Sequence, residues 1–204
     1  MLTERSGKSS LVRWGGAAGV AAAVMLVLVG ILILVAPHQR GVFDSFSDYL
    51  IEVILVVTFV GTLVTIVGLH VLHTGSGRYG RMGAASALIT FLGYALIIVV
   101  TAASALAGGQ VLHYVRVTGG LAVLIGLVLL GVMILRTRLL PWWCGVLLIV
   151  GFPVGDFLDN VAAGSEALVF GIVWGLIGYA LLSARGPLTE PVEEPVAERP
   201  SQAS

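Results

Sequence analysis

The chain has 204 residues, of which 58% are hydrophobic and 11% charged, and its 11 basic and 11 acidic side chains cancel to a formal net charge of zero. With a mean hydropathy of +1.04 and under half of the ~25% charged share of an ordinary globular domain, it carries more apolar surface than a soluble interior can hold, so the excess faces lipid. Its single cysteine, Cys144, excludes intrachain disulfides and paired-thiol chemistry, and the scarcity of Lys and Arg excludes a basic face for nucleic acid.

Apolar runs long enough to cross about 30 Å of hydrocarbon at 1.5 Å per residue recur six times, at 16–36, 53–71, 83–106, 117–135, 139–157 and 163–184. The expected fold class is all-α: a polytopic bundle of six transmembrane helices over 16–184, after an N-terminal segment 1–15 and before a tail 185–204. Arg5, Lys8 and Arg13 precede the first span as they would a signal peptide. Its apolar stretch, however, exceeds the roughly 7–15 residues of a signal peptide's apolar region and ends at Pro37-His38 without a small-x-small cleavage site, so it reads as a retained helix.

The second span carries a stripe of Thr58, Thr62 and Thr65, hydroxyls that ordinarily bond back to their own helix or to a neighbour. At its end His70 and His73 stand three apart and read as solvated residues near a helix C-terminus. The glycines of TGSGRYGRMG follow this helix rather than a strand and therefore form a turn, not a phosphate loop. In the fifth span Pro153, within GFPVG, lacks an N–H and crowds the carbonyl of Ile149, which predicts a kink flanked by Gly151 and Gly155. In the sixth, Gly164, Gly171, Gly175 and Gly178 fall within about 60° of one another at 100° per residue, a smooth face for helix packing with a GxxxG step. Gly15 and Gly19 repeat that step on the first span. After Arg185 the sequence PLTEPVEEPVAERPSQAS, rich in Pro and Glu and without apolar periodicity, is read as a disordered tail.

Basic loops stay in the cytoplasm. An inside N-terminus puts Arg5, Lys8, Arg13, Arg78, Arg81, Arg136, Arg138, Arg185 and Arg199 on the cytoplasmic side and leaves only Arg40 and Arg116 outside. Both termini are thus expected in the cytoplasm. Trp14, Tyr79, Trp142 and Trp143 fall at the inner boundaries and Tyr49 and Tyr114 at the outer ones, as interfacial anchors do. Ten Arg against one Lys, with heavy Ala, Gly and Val usage, reads as a GC-rich genome and points to a bacterial inner membrane.

This orientation gathers Asp44, Asp48, Glu52, Asp156, Asp159 and Glu166 on the outer side with His38, His113, Arg40 and Arg116, and leaves mid-span positions without ionisable groups. Proton-coupled pumps usually keep such groups at mid-membrane, so no midplane relay is expected. Asp44, Asp48 and Glu52 recur every four residues, so a helix would set them along one side, where like charges repel and need compensation. The candidate site is an outward-facing polar cluster of Asp44, Asp48, Glu52, His113, Arg116, Asp156, Asp159 and Glu166. Carboxylate and imidazole groups suit several divalent ions, but no HExxH or comparable spacing is present, and the sequence assigns no metal or cofactor.

Three functional readings follow. The first is a non-enzymatic accessory or interaction bundle, alone in the bilayer, with a protein partner, or as a homo-oligomer. The second is a small transporter or ligand- or cation-binding protein with an outward-facing carboxylate-lined pocket. The third is an intramembrane enzyme.

Overall fold

The structure, a computed structural model, describes residues 2–35, 45–74, 80–107 and 113–184, with side chains from Ser10 onward. The described residues form six helices and no strand: α1 (Leu2–Val35), α2 (Phe46–Thr74), α3 (Gly80–Ala107), α4 (His113–Thr137), α5 (Trp142–Asp159) and α6 (Ser165–Ser183). Each contains a stretch long and apolar enough to cross a membrane, in α1 from Ser10 onward. An α-helix suits this solvent because it satisfies its own backbone groups where water is absent.

Helix limits follow local chemistry. The helix of the first span begins at Leu2, well ahead of the apolar run. α2 begins at Phe46, seven residues before the apolar run, because Ser45 and Asp48 form a reciprocal cap. The Ser45 N–H donates to Asp48 Oδ2 at 2.8 Å and the Asp48 N–H donates to Ser45 Oγ at 3.3 Å. α5 starts at Trp142 because Pro141 occupies its N-cap position, where the missing N–H costs nothing. α4 stops at Thr137 because the next residue, Arg138, is a non-glycine residue with φ of 54°, whose N–H donates to the Ile134 carbonyl at 3.1 Å, the single bond of a left-handed C-terminal cap.

Sequential helices run antiparallel and pack as neighbours, and α6 returns to α1, which closes the ring. Glycines set the seams. A Cβ on Gly15 would stand 2.8 Å from Gly68 Cα across α1/α2, and one on Gly178 would stand 2.7 Å from the Gly16 carbonyl across α6/α1. On the same stripe a Cβ on Gly171 would stand 3.1 Å from the Ala23 carbonyl, and one on Gly175 3.1 Å from the Ala23 methyl group. Close backbone approach of this kind drives association between helices in lipid, where apolar burial gives little. The Thr65 hydroxyl, 3.0 Å from both the Gly15 and the Gly61 carbonyls, adds a polar tie between α1 and α2.

The buried core runs along the ring axis and includes Ile66, Leu69, Leu127, Leu130, Ile134, Cys144, Leu148, Trp174 and Ile177. Large apolar side chains also face outward all round, among them Val24, Val57, Leu92, Ile125, Val150 and Ile172. That is the pattern of a bundle whose exterior meets hydrocarbon. Trp14 and Trp142 are exposed at the end that carries the N-terminus, here the proximal end, and Tyr49 and Tyr114 at the opposite, distal end.

Candidate functional site

The six helices do not meet along their full length. In the distal half they enclose a cavity of about 420 Å³ to which every helix contributes, within the ~300–1,000 Å³ range of small-molecule sites. Leu26, Val29 and Ile33 come from α1, Leu55, Phe59 and Thr62 from α2, and Tyr94 and Ile97 from α3. From α4 come Arg116, Val117, Gly120, Leu121, Val123 and Leu124, from α5 Phe152 and Asp156, and from α6 Glu166, Ala167, Phe170 and Trp174. Thr62, Tyr94 and Trp174 lie near the middles of their helices and form the floor. Glu166 is eight residues above Trp174 on the same helix, so the cavity is about 12 Å deep by the helical rise.

The floor is an aromatic stack. The Tyr94 ring sits between Phe59, centroids 5.6 Å apart, and Trp174, centroids 6.4 Å apart and near-perpendicular. On the wall Phe152 and Phe170 make an edge-to-face pair at 5.5 Å. Such pairs hold rings in fixed places and add about 0.5–1.5 kcal/mol beyond burial. The wall at Gly120 is bare, because a Cβ built there meets nothing within 4 Å.

The outer-side cluster read from the sequence separates into different roles. Arg116, Asp156 and Glu166 converge on the cavity and form its charged rim. Asp48 belongs to the cap of α2, where its Oδ2 also accepts from the Ser45 hydroxyl at 2.7 Å. Asp159 accepts from the Gly164 N–H at 2.8 Å and so holds the turn into α6, where Gly164 adopts φ of 88°. Glu52 is buried in α2 but does not line the cavity, and His113 is exposed at the first turn of α4 beside the Tyr114 ring. Asp44, His38 and Arg40 lie outside the described residues. Among the described residues no group of three or more His, Cys, Asp or Glu side chains comes together to hold a metal ion.

Pro153 lies inside a continuous α5 with its ring exposed on the bundle exterior, while its neighbours Phe152 and Asp156 face the cavity. Of the threonine stripe, Thr58 donates to its own helix at the Ile54 carbonyl, 2.8 Å away, Thr65 bridges to α1, and Thr62 lines the cavity. At the proximal end His73 is fully buried, with Nδ1 2.8 Å from the Leu69 carbonyl. Because a carbonyl only accepts, that nitrogen carries the proton.

The aromatic lining and Gly120 were not marked by any sequence motif. The aromatics are scattered over α2, α3, α5 and α6, and Gly120, a lining glycine without a packing partner, differs in kind from the seam glycines. No protein-family model, no curated protein and no solved structure matches this chain.

Proposed function

We propose that this chain is a non-enzymatic membrane protein that binds a small amphipathic molecule in its distal cavity, as a carrier or a receptor. The observation that carries the reading is the cavity itself, apolar and aromatic along its depth and charged at its rim with Arg116, Asp156 and Glu166. Apolar walls with a few convergent polar groups are the general form of a ligand site, the walls supplying affinity and the polar groups orientation. Ionisable side chains within membrane segments are costly unless they face a cavity or a partner, and the rim meets that condition.

The cavity faces the outside of a bacterial inner membrane, and both termini are cytoplasmic. Arg13, Arg81, Arg136 and Arg138 at the proximal end, with Arg5, Lys8, Arg78 and Arg185 in sequence beside it, support this orientation by the bias of basic residues toward the cytoplasm.

The test is to purify wild-type protein and Gly120→Phe from the same membranes, extract each with organic solvent, and compare the small molecules released. A phenyl group at position 120 fills the cavity from a wall that has room for it. The wild type is expected to release a defined amphiphile that the variant lacks. Identical extracts from both would refute ligand binding, and a stoichiometric protein partner in place of a small molecule would favour the accessory-bundle reading.

A further inference from the structure

We infer that the occupant is an amine-bearing zwitterionic phospholipid, one acyl chain of which enters the cavity sideways from the bilayer between α4 and α5. This rests on the ligand-binding reading above and names its ligand class.

The seam between these two helices changes character halfway along. On α4, Val117, Leu124 and Gly131 are spaced by seven residues and share one face; on α5, Gly145 and Phe152 do the same, with Asp156 one turn further. In the proximal half the two faces meet backbone to backbone, since a Cβ on Gly131 would stand 2.6 Å from the Gly145 carbonyl oxygen and one on Gly145 2.7 Å from that of Gly131. In the distal half the same two faces part, and Val117, Leu124, Phe152 and Asp156 line the cavity. Val117 and Leu121 line it and are 48% and 54% exposed, more than a sealed wall would leave them, so the inferred side mouth is placed at these two residues. The neighbouring seams are shut at this level. A Cβ on Gly93 would stand 2.8 Å from the Val123 nitrogen across α3/α4, and the Phe152–Phe170 ring pair bridges α5/α6.

What lies outside a side mouth framed by exposed valine and leucine is hydrocarbon, so an acyl chain is the group that reaches it. Arg116 and Asp156 stand at the top of the same crevice, with Glu166 behind, where the headgroup of a lipid so inserted would rest. A guanidinium matches phosphate oxygens in bidentate fashion, and carboxylates accept hydrogen bonds from a primary ammonium, which a quaternary ammonium does not donate. One base against two acids disfavours an anionic headgroup. The complement is therefore phosphate and primary amine in one molecule.

The test uses a variant with Trp14→Phe, Trp142→Phe and Trp143→Phe, which keeps Trp174 at the cavity floor as the sole tryptophan, excited at a wavelength where the tyrosines do not absorb. It is reconstituted in lipid nanodiscs containing phosphatidylethanolamine, phosphatidylcholine or phosphatidylglycerol, each with brominated acyl chains. Bromine quenches indole at contact. Trp174 quenching is expected to be strongest with phosphatidylethanolamine and to be lost in Gly120→Phe and in the milder Gly120→Leu. Equal quenching by all three lipids overturns the headgroup assignment. Absence of quenching overturns lateral access, and if a Gly120-sensitive small molecule is still extracted, ligand binding stands without the lipid; loss of both overturns both. The same comparison is read on the unmodified protein by native mass spectrometry from discs of mixed lipid, where phosphatidylethanolamine must be the lipid retained.

Discussion

Gly131 and Gly145 face each other so closely that a methyl group on either would stand 2.6–2.7 Å from the other's carbonyl oxygen. The contact is backbone on backbone, so no side chain can give way. It pins α4 to α5 directly below the point where the two helices part around the cavity. Gly131→Ala and Gly145→Ala are each expected to lower stability by about 1–3 kcal/mol, the ordinary cost of overpacking. Gly120→Ala, placed where nothing stands within 4 Å, is expected to lose none, because Ala is the better helix former. Unfolding in mixed micelles over a detergent titration measures all three.

Thr65 ties α2 to α1 through the Gly15 carbonyl, whereas Thr58 bonds only within its own helix among the contacts above. Thr65→Val is therefore expected to cost more than Thr58→Val, by about 0.6 kcal/mol, the mean for hydrogen bonds between membrane helices. Equal costs in the same unfolding titration would show that the interhelical bond contributes nothing.

Asp159 and Gly164 form the turn that sets the height of Glu166 at the rim. Asp159→Ala strips the acceptor from the Gly164 N–H and is expected to cost about 1–3 kcal/mol. Gly164→Ala meets two obstacles, φ of 88° and a Cβ position 2.8 Å from the Gly30 carbonyl. Its cost is expected to exceed the roughly 1–2 kcal/mol of the left-handed conformation alone.

The orientation is tested by cysteine labelling in a Cys144→Ala background. In intact cells an impermeant maleimide is expected to label Ser47→Cys, while Ser76→Cys is labelled only after permeabilisation. The reverse pattern would place the cavity on the cytoplasmic side.

Six helices were legible in the sequence because a run of about twenty apolar residues has few uses other than crossing a bilayer. Their ends were less so, since α2 starts at a polar cap built from Ser45 and Asp48, and the helix of the first span continues through its charged leader to Leu2. The acidic cluster was visible as composition, but composition does not separate a capping carboxylate from one at a cavity rim. Asp48 and Asp159 are engaged by backbone N–H groups, and only the turns of α4, α5 and α6 bring Arg116, Asp156 and Glu166 together. The cavity has no sequence signature because it is what the helices leave unfilled: Gly120 lacks a partner, and Phe59, Tyr94 and Trp174 lie on three different helices.

Whether the distal cavity is a binding site is read from the mass of the intact protein released from its own membrane into a mass spectrometer. The wild type is predicted to carry one small molecule per chain, which Gly120→Phe does not carry although it is as well folded. A wild-type chain found only at its own mass, or a variant carrying the same added mass, would show that the distal cavity is not a binding site.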